Sequence, residues 1–128
     1  MTQENHPVLG DLALQPVEED PNRVVDLLAE GERQLERART SGRGRAVRSV
    51  LRQPGQNVIL LALPAGGGLP DHETPGPASL LCLSGEVVLA SGDAEWCLPA
   101  GSAHVIPQAR HEVRADVDSV CLLTVTLG

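Results

Sequence analysis

Apolar and polar positions change rhythm near residue 45, and that change divides the chain. Upstream, Val24, Leu27, Leu28 and Leu35 recur at helical spacing. Asp20 suits a capping position, Pro21 the first helical position, and the SGRG run at 41–44 a helix end. The pattern predicts an amphipathic helix that must lay one stripe on a partner surface, with Gly31 weakening its middle. Before it, residues 1–19 hold Val8, Leu9, Leu12, Leu14 and Val17 without a clear period, and read as an arm that docks on something.

Downstream the period shortens. Val47, Ser49 and Leu51 alternate with Arg48, Val50 and Arg52; QPGQN makes a turn, and Val58–Leu63 returns from it as the second arm of a hairpin. The Pro/Gly-rich PAGGGLPDHETPGP reads as a loop. The runs SLLCL, EVVLA, AEWCL, AHVIP, EVRA and SVCLLTVTL then follow, separated by turns at Ser84-Gly85, Ser91-Gly92-Asp93, PAGS, QARH and Asp116-Val117-Asp118. Short strands at such intervals, with no helix between them, predict an antiparallel barrel or sandwich over 45–128, behind an arm and helix over 1–44.

Three of these runs do not alternate. Val58–Leu63, Leu80–Leu83 and Val120–Leu123 are apolar at consecutive positions, so both faces of those strands must be covered. The interior covers one. The helix and arm, or a second subunit, must cover the other, and a homodimer is expected on this ground.

Composition narrows the function classes. In 128 residues, 41% are hydrophobic and 1% aromatic, and Trp96 stands alone without Phe or Tyr, so the core must be aliphatic. No aromatic platform exists for stacking bases. The net charge of −7 would repel a polyanion, and Arg37, Arg39, Arg43, Arg45, Arg48 and Arg52 read as a solvated face, so no nucleic acid is expected as partner. No apolar run reaches the length of a membrane span, and the first residues have neither a basic start nor an apolar signal core, so no membrane is expected either. Cys82, Cys97 and Cys121 are odd in number and form no close pair in sequence. That is the usage of a reducing compartment, with Cys97 and Cys121 as small buried hydrophobes, and a cytoplasmic location is expected. Ser79, Ser84, Ser91, Ser102 and Ser119 lack the strained glycine setting of a nucleophile elbow, and Gly66-Gly67-Gly68 lacks the Lys and following helix of a phosphate loop.

Two constellations go further. Gly66 stands six residues before His72, followed by Thr74, Ala78 and Gly85; later come Gly101, Pro107, Ala109 and His111. The order resembles the two motifs of the cupins, G-x5-H-x-H-x3,4-E-x6-G and G-x5-P-x-G-x2-H-x3-N. Thr74 takes the place of the second His, Ala78 that of the Glu, Ala109 that of a Gly, and His111 arrives one residue early. The likeness covers about residues 45–127, and the shortened turn Ile106–His111 is similar to that of compact bacterial cupins with a helix ahead of the barrel.

The resemblance implies an all-β fold, an antiparallel cupin-type β-barrel (jelly roll) preceded by one N-terminal α-helix. It puts His72 and His111 in metal-ligand register, with Glu73, Cys82, His104 or water as candidate third ligands for a divalent Fe, Mn, Zn or Ni ion, and Thr74, Leu80 and Trp96 in the pocket. Two alternatives stay open for the pair: a metal-free pocket whose imidazoles hydrogen-bond a ligand, or histidines satisfied locally by backbone or water. The expected function is binding or sensing of a small molecule. The second is a metal-dependent isomerase, lyase or oxygenase acting on a small polar substrate, with Glu73 or Glu112 as ligand or base. The third is a partner protein acting through its arm and Arg-rich stretch.

Overall fold

The computed structural model describes residues 23–74 and 76–126; the arm at 1–19, the Asp20 cap and Pro21 lie outside them. The chain forms helix α1 (Leu27–Ser41) and strands β1 (Ala46–Gln53), β2 (Gln56–Leu63), β3 (Gly68–His72), β4 (Ala78–Ser84), β5 (Glu86–Ser91), β6 (Ala94–Pro99), β7 (Ala103–Val105), β8 (His111–Ala115) and β9 (Ser119–Thr126). Every strand pairing is antiparallel. One sheet runs β1-β2-β9-β4-β7 and the other β3-β8-β5-β6, so apart from the β1–β2 and β5–β6 hairpins each connection crosses from one sheet to the other, in the jelly-roll manner. The expected all-β fold with one helix ahead of it is the one observed.

Two of the sequence expectations need correction. The helix begins later than the Asp20-Pro21 signal implies: residues 23–26 are not helical, and Asp26 is the cap, its carboxylate accepting from the Ala29 N–H at 3.1 Å. Val24 therefore falls outside the helix and is exposed, as is Leu28. The helix ends where the sequence indicates, with Gly42 at φ 74° beyond Ser41. Second, the Pro/Gly-rich loop contains β3, a strand whose alternation is concealed because only Leu69 and His72 of its residues are buried.

The core lies between the sheets and is aliphatic. Val47, Ile59, Leu61, Leu63, Leu69, Leu80, Val87, Leu89, Leu98, Val113, Leu123 and Val125 fill it, with Cys82 and Cys121 among them and Trp96 at its margin. The consecutive apolar run of β2 is resolved by period two: Ile59, Leu61 and Leu63 enter this core, while Leu60 and Ala62 face the other way and are equally buried. Their cover is α1, which packs Ala38, Leu27 and Leu35 on Leu60, Ala62 and Val120. Gly31 has a packing reason to be there. A Cβ at that position would stand 3.1 Å from a methyl of Val120, so its absence lets the helix lie close on β9.

The helix presents a polar stripe as well as an apolar one. Glu30 and Gln34 are buried. Glu30 accepts from Arg33 at 2.6 Å and from Gln34 at 2.8 Å, and pairs with Arg48 of β1 at 3.4 Å. Burial raises the Glu30 pKa, but the hydrogen bonds from Arg33 and Gln34 and the charges of Arg33 and Arg48 outweigh it, so the group ends below its ordinary value.

Candidate functional site

The site is built where β3 meets β8. Leu69 pairs with Val113, yet the next matched pair is His72 with His111. Three steps along β3 thus oppose two along β8, and the extra residue is a bulge at Pro70-Asp71. The bulge decides the chemistry. Strict alternation from Leu69, an interior residue, would send Asp71 inward and His72 outward; the extra residue reverses this. His72 and His111 are both buried, with ring centroids 4.5 Å apart and planes tilted by 56°.

On the other face of the same turn, Asp71 meets Arg110. The Arg110 guanidinium donates to the Asp71 carboxylate at 2.7 Å and to its carbonyl at 3.0 Å. Each partner is the chain neighbour of one histidine, so this exposed ion pair clamps the two segments that carry the site.

Backbone contacts set the imidazole tautomers. His72 Nδ1 lies 2.7 Å from the Pro70 carbonyl, and His111 Nδ1 lies 2.8 Å from the Ala109 carbonyl. A carbonyl oxygen only accepts, so in each ring Nδ1 carries the proton and donates, leaving Nε2 as the basic nitrogen. Two imidazoles, each with its Nδ1–H turned to a backbone carbonyl, therefore lie side by side in an otherwise aliphatic interior.

The remaining candidates are placed elsewhere. Glu73 is exposed beside the buried His72. Glu112 faces outward from β8 and pairs with Arg114 at 3.4 Å. Cys82 is buried among the core residues, with its thiol donating to the Ser84 carbonyl at 3.4 Å. His104 stacks on Trp96, centroids 4.6 Å apart and planes inclined by 31°, which joins edge strands β7 and β6 of the two sheets. Thr74 donates to the Gly76 carbonyl at 3.2 Å, and Leu80 is an interior core residue. Among the described residues no group of three His, Cys, Asp or Glu side chains converges as a metal site. Two nitrogens are fewer than the three protein ligands that a catalytic metal ordinarily takes, so the residues present do not fit such an ion.

Cys97 corrects another expectation, being exposed and donating to Glu86 at 2.7 Å. Much of the Arg-rich stretch is occupied internally: Arg37 bonds Gln34, Arg39 pairs with Glu36 and Asp118, and Arg48 pairs with Glu30. Of the described residues, no helix is long and apolar enough to cross a membrane.

The fold matches solved cupin structures. A cupin superfamily protein from Desulfitobacterium hafniense superposes with TM-score 0.61 at 16% identity, covering 66% of this chain and 78% of its own. An RmlC-like cupin from Desulfovibrio desulfuricans gives 0.59 at 24% identity, covering 88% and 91%. A conserved protein of unknown function from Streptococcus pyogenes gives 0.64 at 19%, covering 89% and 93%. No family model and no curated protein matches the chain by sequence. At such identities the likeness is one of fold, and function has to be argued from the site.

Proposed function

Since this chain is a small cupin-domain protein by its fold, we propose that it binds a small molecule at the His72–His111 pair and serves as a binding or sensor protein. The observation that carries this reading is the inward pairing of two imidazoles whose Nδ1 protons are already committed to backbone carbonyls. Such a pair sets two imidazole rings side by side, where one ligand can address both. It suits a compact molecule with a polar group at one end and an aliphatic body that matches the core around it. A bulge and an outer ion pair serve to hold that arrangement, beyond what packing alone would require.

The competing reading is a metal-dependent isomerase, lyase or oxygenase. The donor set argues against it: Glu73 and Glu112 face solvent, and Cys82 and His104 have other neighbours. One experiment separates the two. Wild type and His72→Ala/His111→Ala are purified without chelator, assayed for bound transition metals, and screened by thermal shift against small polar metabolites. The expected result is substoichiometric metal in both proteins, and a compound that raises the wild-type midpoint but not the variant's. Stoichiometric metal in wild type that is lost in the variant would overturn the binding reading in favour of the enzyme. A full screen with no stabilising compound, together with substoichiometric metal, would remove both.

A further inference from the structure

Two of the three cysteines, far apart in sequence, are neighbours across the five-stranded sheet. Cys82 on β4 stands directly opposite Cys121 on β9, and both side chains are buried in the core between the sheets. The backbone of Cys82 shows which kind of pair this is. Its N–H donates to the Ser102 carbonyl at 2.9 Å, and its own carbonyl accepts from Gly101 N–H at 2.7 Å. Both groups thus point toward β7, away from β9. Cys82 and Cys121 are therefore a non-hydrogen-bonded cross-strand pair, the type in which Cα atoms come within about 4.5 Å and side chains approach most closely. That spacing falls inside the range of about 4.4–6.8 Å that a disulfide spans.

We propose that Cys82 and Cys121 form a modification site, a dithiol that a hydroperoxide oxidises to a cross-strand disulfide and a thiol reductant reopens. The Cys82 sulfur, on losing its proton, attacks a peroxide oxygen; the O–O bond breaks, a sulfenic acid forms and, for hydrogen peroxide, one water leaves. The Cys121 sulfur then attacks the sulfenic sulfur, the S–O bond breaks, the S–S bond forms and a second water leaves. Two thiols lose two electrons in total, and one peroxide is reduced to two waters.

The assignment of roles follows from the surroundings. Burial raises both thiols and raises Cys121 further, so Cys82 is the attacking sulfur. Burial also makes the first step slow beside that of an exposed thiol. Once it has occurred, the resolving cysteine stands directly opposite on β9, which favours the disulfide over further oxidation. Closure ties β4 to β9 at the centre of their sheet, and a stiffer barrel is the consequence. Cys97 is a separate, exposed thiol and has to be removed from the readout.

The test uses the full chain carrying Cys97→Ser, reduced, exposed to excess hydrogen peroxide, then denatured, alkylated with N-ethylmaleimide and weighed intact. Expected are two alkylations before oxidation and none after it, a mass lower by two hydrogens with no oxygen gained, recovery of both thiols with dithiothreitol, and a higher thermal midpoint in the oxidised form. Peptide mapping of oxidised wild type should join the Cys82 peptide to the Cys121 peptide, and decides the matter alone should Cys97→Ser not fold. Thiols that stay alkylatable, oxygen adducts without a link, or links only between chains would overturn the proposal.

Discussion

Replacing Glu30 with Ala should destabilise the protein by about 2–4 kcal/mol, because the carboxylate is the acceptor at the centre of the seam between α1 and β1. Its bond from the buried Gln34 amide is a hydrogen bond to a charged group, worth about 1.5–3 kcal/mol, and losing it also leaves a buried donor short of an acceptor. The Arg33 contact is largely solvated and adds less than about 1 kcal/mol. Arg48, at 3.4 Å and partly buried, adds a similar amount. Urea denaturation at neutral pH measures the sum as a fall in midpoint without a change in slope. Glu30→Gln keeps the shape and one acceptor, and should cost about half as much.

The acid limb supplies a second readout. The folded pKa of Glu30 is lowered, so its contribution is fully present above the unfolded value and is lost as pH falls through the folded one. Stability attributable to Glu30 should therefore fade below about pH 4.5, and the wild-type and Glu30→Gln curves should converge there. A loss under about 0.5 kcal/mol for Glu30→Ala, or a wild-type advantage that persists at pH 2, would refute the seam as a source of stability.

Two further outcomes test the site and the outer face. A Cβ at Gly68 would fall 2.3 Å from the Val113 carbonyl oxygen and 3.0 Å from the Arg114 Cα, so Gly68→Ala must push β3 off β8. We expect a cost of about 1–3 kcal/mol together with loss of ligand binding at the His pair, read by thermal shift; retained binding would show that the pair does not depend on this ladder. Outside the reach of α1, Leu51, Val58, Thr124, Ser79 and Val105 form one uncharged row across all five strands, with Leu51 52% and Val105 67% exposed. We propose that a second copy of the chain covers this row, so light scattering should give a dimer that Val105→Arg/Leu51→Arg converts to monomer; a monomeric wild type at micromolar concentration would end that proposal.

Most of the fold was legible because its signals are local. The β1–β2 hairpin, the later strands and the end of α1 follow from alternation, turn residues and Gly42. Where local signals compete, reading fails. Asp20-Pro21 is a better start signal on paper than Asp26, yet Asp26 caps the helix at the point where Leu27 begins to pack on the sheet. Glycine and proline hide β3, since a strand with two buried side chains carries almost no period. The motif match brought out His72 and His111, but neither the bulge at Pro70-Asp71 nor the Asp71–Arg110 clamp is written in spacing alone.

By itself the sequence determined the period of each strand, the aliphatic core and the need for two covered faces on β2, because these depend on residues within a few positions of one another. Tertiary structure alone decided which side chains meet at long range. It turned His72 inward opposite His111, sent Glu73 to solvent, stacked His104 on Trp96 and set Cys82 against Cys121. The physical reason is register. With a side-chain period of two, one inserted residue reverses what faces the interior, and whether a strand takes that insertion is settled only when its partner is in place.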